Sequence, residues 1–389
     1  MSPTSARGAT GRLDDRAAPV TGSTRSRGGS SGLSTSAHTR KPGERGPTLK
    51  DVARAAGVHA STVSRALDPG KMSLVQDGTR EHVRRVAEQL GYRADVVARS
   101  LRRRQTTAVG VVITDLGNPV FAPVLRGISS RLERAGFIAL ITETRDDHER
   151  LCVAIEKLLE RRVDALIVGA ARRGDAEVID AARREGTPIV LAVRSLVGSG
   201  IPTVAADDVM GGYLAALHLA SLGHRVVAEI AGPQEVQPFI DRSTGFARGA
   251  SETGLVVVRP DAQASDPNPD AGAHLTELVL GLREETPTAI FAHNDSMAVG
   301  ALATLRAHGL RCPHDISVLG YNDAPFVEHL DPPLSTIGLP GFQIGEAAAE
   351  VALSLIDDPA AVVGSQTFPP TVVRRGSTAP PRTGPALSS

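Results

Sequence analysis

The sequence predicts a small all-helical module followed by a larger α/β body of two lobes with parallel sheets, and three observations carry that expectation. Three short stretches with helical apolar spacing crowd into residues 48–90. Beyond Thr106 the texture changes to buried apolar runs separated by helical periodicity, the mark of parallel strands with helices on both faces. Residues 107–374 are too many for one sheet of this kind, so two lobes are expected.

The 389 residues hold 43 basic and 43 acidic side chains, a formal balance of zero that hides a gradient. Residues 1–46 carry 8 basic and 3 acidic side chains, residues 47–106 carry 12 and 6, and the remainder 23 and 34. A basic front on an acidic body suits a module that meets a polyanion while the rest of the chain keeps it in solution. No apolar run reaches the roughly 18 residues of a membrane span. The opening MSPTSARGATGRLDD lacks the apolar stretch of a secretory signal, so no membrane partner and a cytoplasmic location are expected. Cys152 and Cys312 are too far apart for a C-x-x-C pair and read as ordinary thiols. The 11 histidines show no i, i+4 pairing, so neither a metal nor a cofactor is expected.

Residues 1–46 are Ser, Gly, Thr, Arg and Pro with few large apolar side chains, and they read as a disordered basic tail. The module at 47–93 begins with Thr48 at an N-cap and Asp51 three residues on, as a capping box requires. Its helical patterns are Leu49, Val52, Ala53, Ala56, then Val63, Ala66, Leu67, then Val83, Val86, Ala87, Leu90. Gly57-Val58-His59 forms the turn between the first two, and Gly91 ends the third. A short helical segment within 94–106 follows as a linker. In the body, 107–374, the strand runs are 109–113, 138–142, 165–168, 189–193, 226–230, 289–291 and 316–319, with a helix from about 119 to 135 after the first. Residues 375–389 contain Pro and Gly and read as a flexible tail.

An enzyme is the first alternative that such a body raises, but the phosphate-binding, dinucleotide and zinc-protease motifs are absent. Gly28-Gly29-Ser30-Ser31-Gly32 matches G-x-S-x-G only by letter, since no strand and helix surround it. The helical module is more informative. Helix, glycine turn and helix, with Ser61-Thr62-Val63-Ser64-Arg65 opening the second helix, is what a helix-turn-helix needs. Short polar side chains let that helix approach the bases, and Arg65 is long enough to reach a guanine edge.

The stretch Thr48-Leu49-Lys50-Asp51-Val52-Ala53-Arg54-Ala55-Ala56-Gly57-Val58, then Ser61 to Leu67, then Gly91-Tyr92-Arg93 and Ala98-Arg99-Ser100-Leu101, resembles the lactose/galactose-repressor (LacI/GalR) family. The resemblance runs to about Arg374. It implies base-reading positions at Ala60, Ser61 and Arg65, and phosphate-side positions at Thr48, Thr62, Ser64 and Tyr92. It further implies a hinge helix whose Leu101 wedges into the minor groove of double-stranded DNA, flanked by Arg99 and Arg102. The loop from Asp68 to Gly78 is longer than the family's usual. For the body the resemblance implies a periplasmic-binding-protein-like pair of lobes around a small-molecule effector, a sugar first and a nucleobase or other metabolite second. Asp115, Asn118 and Phe121 after the first strand, Arg242 in Asp241-Arg242-Ser243-Thr244-Gly245-Phe246, Asn294, and Asn322 in Gly320-Tyr321-Asn322-Asp323 are its implied effector contacts. Phe121 is expected to stack on the ligand and Asp295 to cap a helix. The family's transcriptional regulators are mostly repressors; without a C-terminal leucine heptad a homodimer on a palindromic operator is expected. A transport solute-binding protein is the rival reading, opposed by the helix-turn-helix.

Overall fold

The computed structural model describes residues 47–67, 74–92, 105–282 and 286–382, and the chain divides into two units, Met1–Ala94 and Asp95–Ser389. The predicted tail 1–46, the loop residues 68–73, the hinge with Arg99, Leu101 and Arg102, and residues 383–389 lie outside the described residues.

In the first unit α1 (Leu49–Ala55), α2 (Ala60–Ala66) and α3 (Asp77–Gln89) pack around Val52, Ala56, Val63, Val83 and Val86. These helices are short, so the shared core rather than intrinsic propensity holds them. The capping box is present: Asp51 N–H donates to Thr48 Oγ1 at 3.4 Å and Thr48 N–H to Asp51 Oδ2 at 2.9 Å. Gly57 (φ 64°) and Gly91 (φ 62°) turn the chain after α1 and α3 in the left-handed region open to glycine.

The second unit holds two six-stranded sheets. Lobe 1 contains β1 (Ala108–Ile113), α4 (Phe121–Arg134), β2 (Ile138–Glu143), α5 (His148–Glu160), β3 (Ala165–Val168), α6 (Ala176–Arg184), β4 (Ile189–Ala192) and β5 (Thr203–Ala206). The chain then builds lobe 2 with α7 (Asp208–Ser221), β6 (Val226–Ile230), α8 (Gln237–Thr253), β7 (Val256–Val258), α9 (Pro269–Leu280), β8 (Ala289–Ala292), α10 (Asp295–Ala307), β9 (Ser317–Asn322) and β10 (Ser335–Gly338). It returns to lobe 1 for α11 (Gly341–Asp357) and β11 (Gln366–Phe368), and closes lobe 2 with β12 (Thr371–Val373). Strand order is β11-β5-β4-β3-β1-β2 in one sheet and β12-β10-β9-β8-β6-β7 in the other, all parallel except β12 against β10. Central strands such as β1 are buried along their whole length, which is why they read as continuous apolar runs.

Each sheet has a core on both faces. In lobe 1, α4 and α11 cover one face, and α5 and α6 the other. In lobe 2, α9 and α10 oppose α7 and α8. The last two helices touch backbone to backbone: a Cβ on Gly245 would overlap the Val209 carbonyl, and one on Gly212 the Arg242 carbonyl. That approach places the start of α7 against the side chains of α8.

Two expectations are corrected. Five strands (β5, β7, β10, β11, β12) go beyond the predicted runs, because three or four residues flanked by turns carry little periodicity. The flexible tail begins later than Arg375, because residues 375–379 are stitched onto lobe 2 by hydrogen bonds. Ser377 is fully buried, its hydroxyl accepting Ser335 N–H and donating to the Val318 carbonyl, while Arg375 pairs with Asp323.

Candidate functional site

On the helix-turn-helix unit, α2 shows solvent the face that carries Ser61 and Arg65, one turn apart, while Val63 and Ala66 face the core. Thr62 and Ser64 are half-buried at the edges of that face. Ala60 and Tyr92 pack partly against the core, so the first contributes only a methyl edge outward. Sequence reading missed His59: it is the N-cap of α2, with Nδ1 accepting Ser61 N–H at 3.3 Å and lying 2.8 Å from Ser61 Oγ. Its signal was its place just before the first helical residue. Lys50 and Arg54 are exposed on α1, Arg54 pairing with Asp51 at 3.6 Å.

In the second unit the carboxyl ends of the two sheets face each other, the place where open α/β folds hold ligands. Backbone strain gathers there. Among the described residues seven non-glycine positions have positive φ, and five of them end strands at that edge or lie within three residues of one: Arg145 and Asp146 (both φ 54°), Val193 (φ 68°), Asn322 (φ 113°) and Asp323 (φ 59°). Such conformations persist only where surroundings enforce them, and they cluster at functional sites.

Lobe 2 supplies a buried polar wall. Arg242, on α8, is 4 % exposed; its Nε donates to Asp208 Oδ1 at 2.8 Å and its Nη1 to the His293 carbonyl. Its Nη2 reaches Asn322 Oδ1 at 3.5 Å, and the guanidinium lies over the Tyr321 ring, 3.8 Å from the centroid. Burial works against the Arg242 charge, but Asp208 outweighs it and holds the group protonated. Behind it, His293 donates Nε2–H to Glu229 at 2.8 Å, and Glu229 also accepts from Ser243 at 2.8 Å and Arg259 at 2.7 Å. Burial pushes the Glu229 carboxyl up, yet these bonds together hold it below its usual range, while burial keeps His293 neutral. Asp241, beside Arg242, is pushed up by its own burial.

Lobe 1 supplies loop ends. Asp115 Oδ1 accepts Gly117 N–H at 2.7 Å and Asn118 Oδ1 accepts Val120 N–H at 3.2 Å, so both shape the turn after β1, with Asp115 exposed. Phe121 is 2 % exposed and packs in the lobe 1 core, with space for its ring edge left by Gly169. That burial leaves no open ring face for the expected stacking. Arg194 grips Asp146 with both nitrogens, and Arg172 bonds the Asp146 carbonyl and crosses to Glu235 of lobe 2. Arg173 N–H adds a bond to the Glu235 carbonyl at 3.1 Å, so the lobes are clasped at this point. A cavity of about 240 Å³ opens between Pro119 and Val120 of lobe 1 and Asn322, Asp323 and Leu339.

The expected helix cap passes from Asp295 to its neighbour. Asn294 is the cap of α10, its Oδ1 accepting Met297 N–H at 2.7 Å and its Nδ2 donating to the Pro267 carbonyl at 2.8 Å. Asp295 is not the cap: it is buried, accepting Ala324 N–H and Thr336 Oγ1–H, both at 2.7 Å, and burial pushes its carboxyl up to about 7. Asp208 was missed because nothing local marks it; it lies 34 residues before Arg242 in the chain. Among the described residues no group of three or more metal-ligating side chains forms, and no helix is long and apolar enough to cross a membrane.

A helix-turn-helix with an outward Ser-Arg face, carried on the same chain as a two-lobed body with a polar cleft, defines a DNA-binding regulator controlled by a small molecule. The comparisons with known proteins agree. Residues 48–95 match the family of bacterial regulatory proteins of lacI type, and residues 216–378 match a periplasmic binding protein-like domain. The transcriptional repressor CytR of Escherichia coli K12 is 30 % identical over 339 residues, covering 87 % of this chain and 98 % of that protein. The lac repressor dimer bound to operator and an anti-inducer superposes with a TM-score of 0.76 at 28 % identity, over 86 % of this chain and all of the other. A transcriptional regulator CelR–cellobiose complex gives 0.63 at 28 % identity, over 85 % and 99 %. The chain belongs to the LacI family: it is an effector-controlled, DNA-binding transcriptional repressor, and not an enzyme.

Proposed function

We propose that this repressor works in the cytoplasm as a homodimer on a palindromic operator and that its effector is a sugar or sugar derivative. The observation that carries the effector reading is the Arg242 wall. Asp208 neutralises and orients the guanidinium, and the neutral Asn322 amide stands beside it, so the cleft offers fixed donors and acceptors without a strong net charge there. Neighbouring hydroxyls of a sugar use such an alternation well, whereas an anion would leave Asp208 opposed. The cellobiose named in the CelR complex is consistent with this choice. Arg242, Asn322 and Asp115 are assigned to ligand contact, with Asn118 and Phe121 supporting the loop after β1 on the lobe 1 side and Asn294 the start of α10 on the lobe 2 side. On the DNA side, Ser61 and Arg65 read bases, with Ala60 offering a methyl edge, and Thr48, Thr62, Ser64 and Tyr92 lie toward phosphates. Arg99, Leu101 and Arg102 complete the minor-groove contact.

Dimerisation is supported by β2, an edge strand on which Ile138 and Ile141 are exposed, an arrangement that invites pairing or covering. Selecting bound duplexes from a random library, then titrating the recovered operator complex with mono- and disaccharides, nucleosides and nucleobases, tests the reading. A palindrome whose binding responds to a sugar supports it; response to a nucleobase alone replaces the effector class.

A further inference from the structure

The first turn of α5 carries a constellation that neither DNA binding nor the cleft uses. His148 opens the helix and Cys152 lies one turn on, so both project from one face. Cys152 Sγ is 3.6 Å from His148 Nε2, and His148 Nδ1 is 2.6 Å from Asp175 Oδ1. Asp175 is buried, and its Oδ2 is fixed by Arg172 N–H at 2.8 Å. An ionised carboxylate can only accept, so Nδ1 carries a proton, and whenever the imidazole is neutral the lone pair of Nε2 faces the thiol. Nucleophile, base and orienting acid thus stand in line, with the thiol half-buried and the imidazole open to solvent. The bond to Asp175 also raises the His148 pKa above the usual value, which favours the imidazolium formed when the thiol proton is taken.

We propose that Cys152 is a modification site for soft electrophiles of the α,β-unsaturated carbonyl class, with His148 as its base and Asp175 as the positioning residue. The thiol proton passes to His148 Nε2 while the sulfur pair forms an S–C bond at the β-carbon. The π pair of the alkene moves to the α-carbon, which takes the proton back from the imidazolium. The addition has no leaving group and needs no oxidant. The other cysteine, Cys312, sits in lobe 2 with its thiol on the Ser377 carbonyl at 3.3 Å, and burial pushes its pKa up to about 12. It cannot resolve an oxidised Cys152 from there, and it serves as an internal control. The site also touches the cleft: Arg172, whose N–H holds Asp175, is the residue whose guanidinium crosses to Glu235. An adduct that displaces His148 acts through two hydrogen bonds, His148–Asp175 and Asp175–Arg172, on that lobe contact.

The test treats the full-length protein at neutral pH with N-ethylmaleimide and follows both cysteines by peptide mass. Cys152 is expected to react at least about tenfold faster than Cys312, and His148→Gln to slow it about tenfold, as loss of a general base does. Asp175→Asn should slow it by a smaller factor, with melting curves showing that each variant is folded. Equal rates at the two cysteines, or a Cys152 rate indifferent to both substitutions, overturn the proposal. Labelled wild-type protein should bind selected operator DNA with several-fold altered affinity and labelled Cys152→Ser should not; an unchanged wild-type affinity overturns the link to the cleft.

Discussion

The two walls of the cleft keep their charges in opposite ways. In lobe 2 the groups of the wall are sealed inside the lobe, with Arg259 at its rim excepted: Arg242 and Asp208 are each 5 % exposed, and Glu229 and the neutral His293 are inaccessible. In lobe 1 only the Arg194–Asp146 pair is comparably enclosed, while Arg172, Arg145 and Glu143 are reachable by water and Arg145 has a strained backbone. A wall of the first kind is a template whose geometry is set before a ligand arrives. One of the second kind is more open to solvent, and the clasp to Glu235 is its hydrogen-bonded contact with lobe 2.

Removing one partner of the sealed pair gives the largest expected effect. Arg242→Ala should lower the unfolding free energy by about 3–5 kcal/mol because Asp208 is left charged and buried. It should also abolish the effector response while the helix-turn-helix unit still binds DNA; urea unfolding and operator titration read the two separately. If stability is unchanged, lobe 2 is not the rigid wall. Gly245→Ala, which forces α8 away from α7, should cost about 1–3 kcal/mol by the same unfolding measurement.

The pH dependence sharpens the contrast further. The Asp295 carboxyl has a pKa near 7 in the fold against 3.8 ordinarily, so between those values the native state holds a proton that the unfolded chain has lost. Stability from this group is therefore greatest at the acid end and falls as pH rises from about 4 to 7. Asp295→Asn should flatten that slope, as read from melting temperatures across the window. The smallest effect belongs to lobe 1. Arg172→Ala breaks a partly exposed pair and should change stability by less than about 1 kcal/mol, yet shift effector affinity several-fold by loosening the clasp, measured by calorimetry.

The same contrast explains what could be read from the sequence. Buried central strands announce themselves as apolar runs, and the helix-turn-helix is a local pattern, so both were legible. Arg242 stood out in its motif, but its partner Asp208 is a matter of how closely α7 and α8 pack. Asn294 and Asp295 are both competent caps; the choice depends on Thr336 of β10, 41 residues later, which gives Asp295 a buried partner. Phe121 is apolar whether it stacks on a ligand or fills a core, and only the gap at Gly169 decides. Residues 375–379 look like linker because backbone hydrogen bonding leaves no trace in composition.

The order in which the chain visits the lobes has a consequence for synthesis. α11 covers one face of the lobe 1 sheet with Ile344, Ala348, Val351 and Leu355, but it is translated after all of lobe 2 except β12 and the segment 375–379. While residues 207–340 are being made, that sheet is a half-finished surface, and the ribosome holds a chain whose first lobe cannot close. A message cut short before codon 341 would therefore yield a sticky fragment with an intact operator-reading head, fit for chaperones and proteases rather than for regulation.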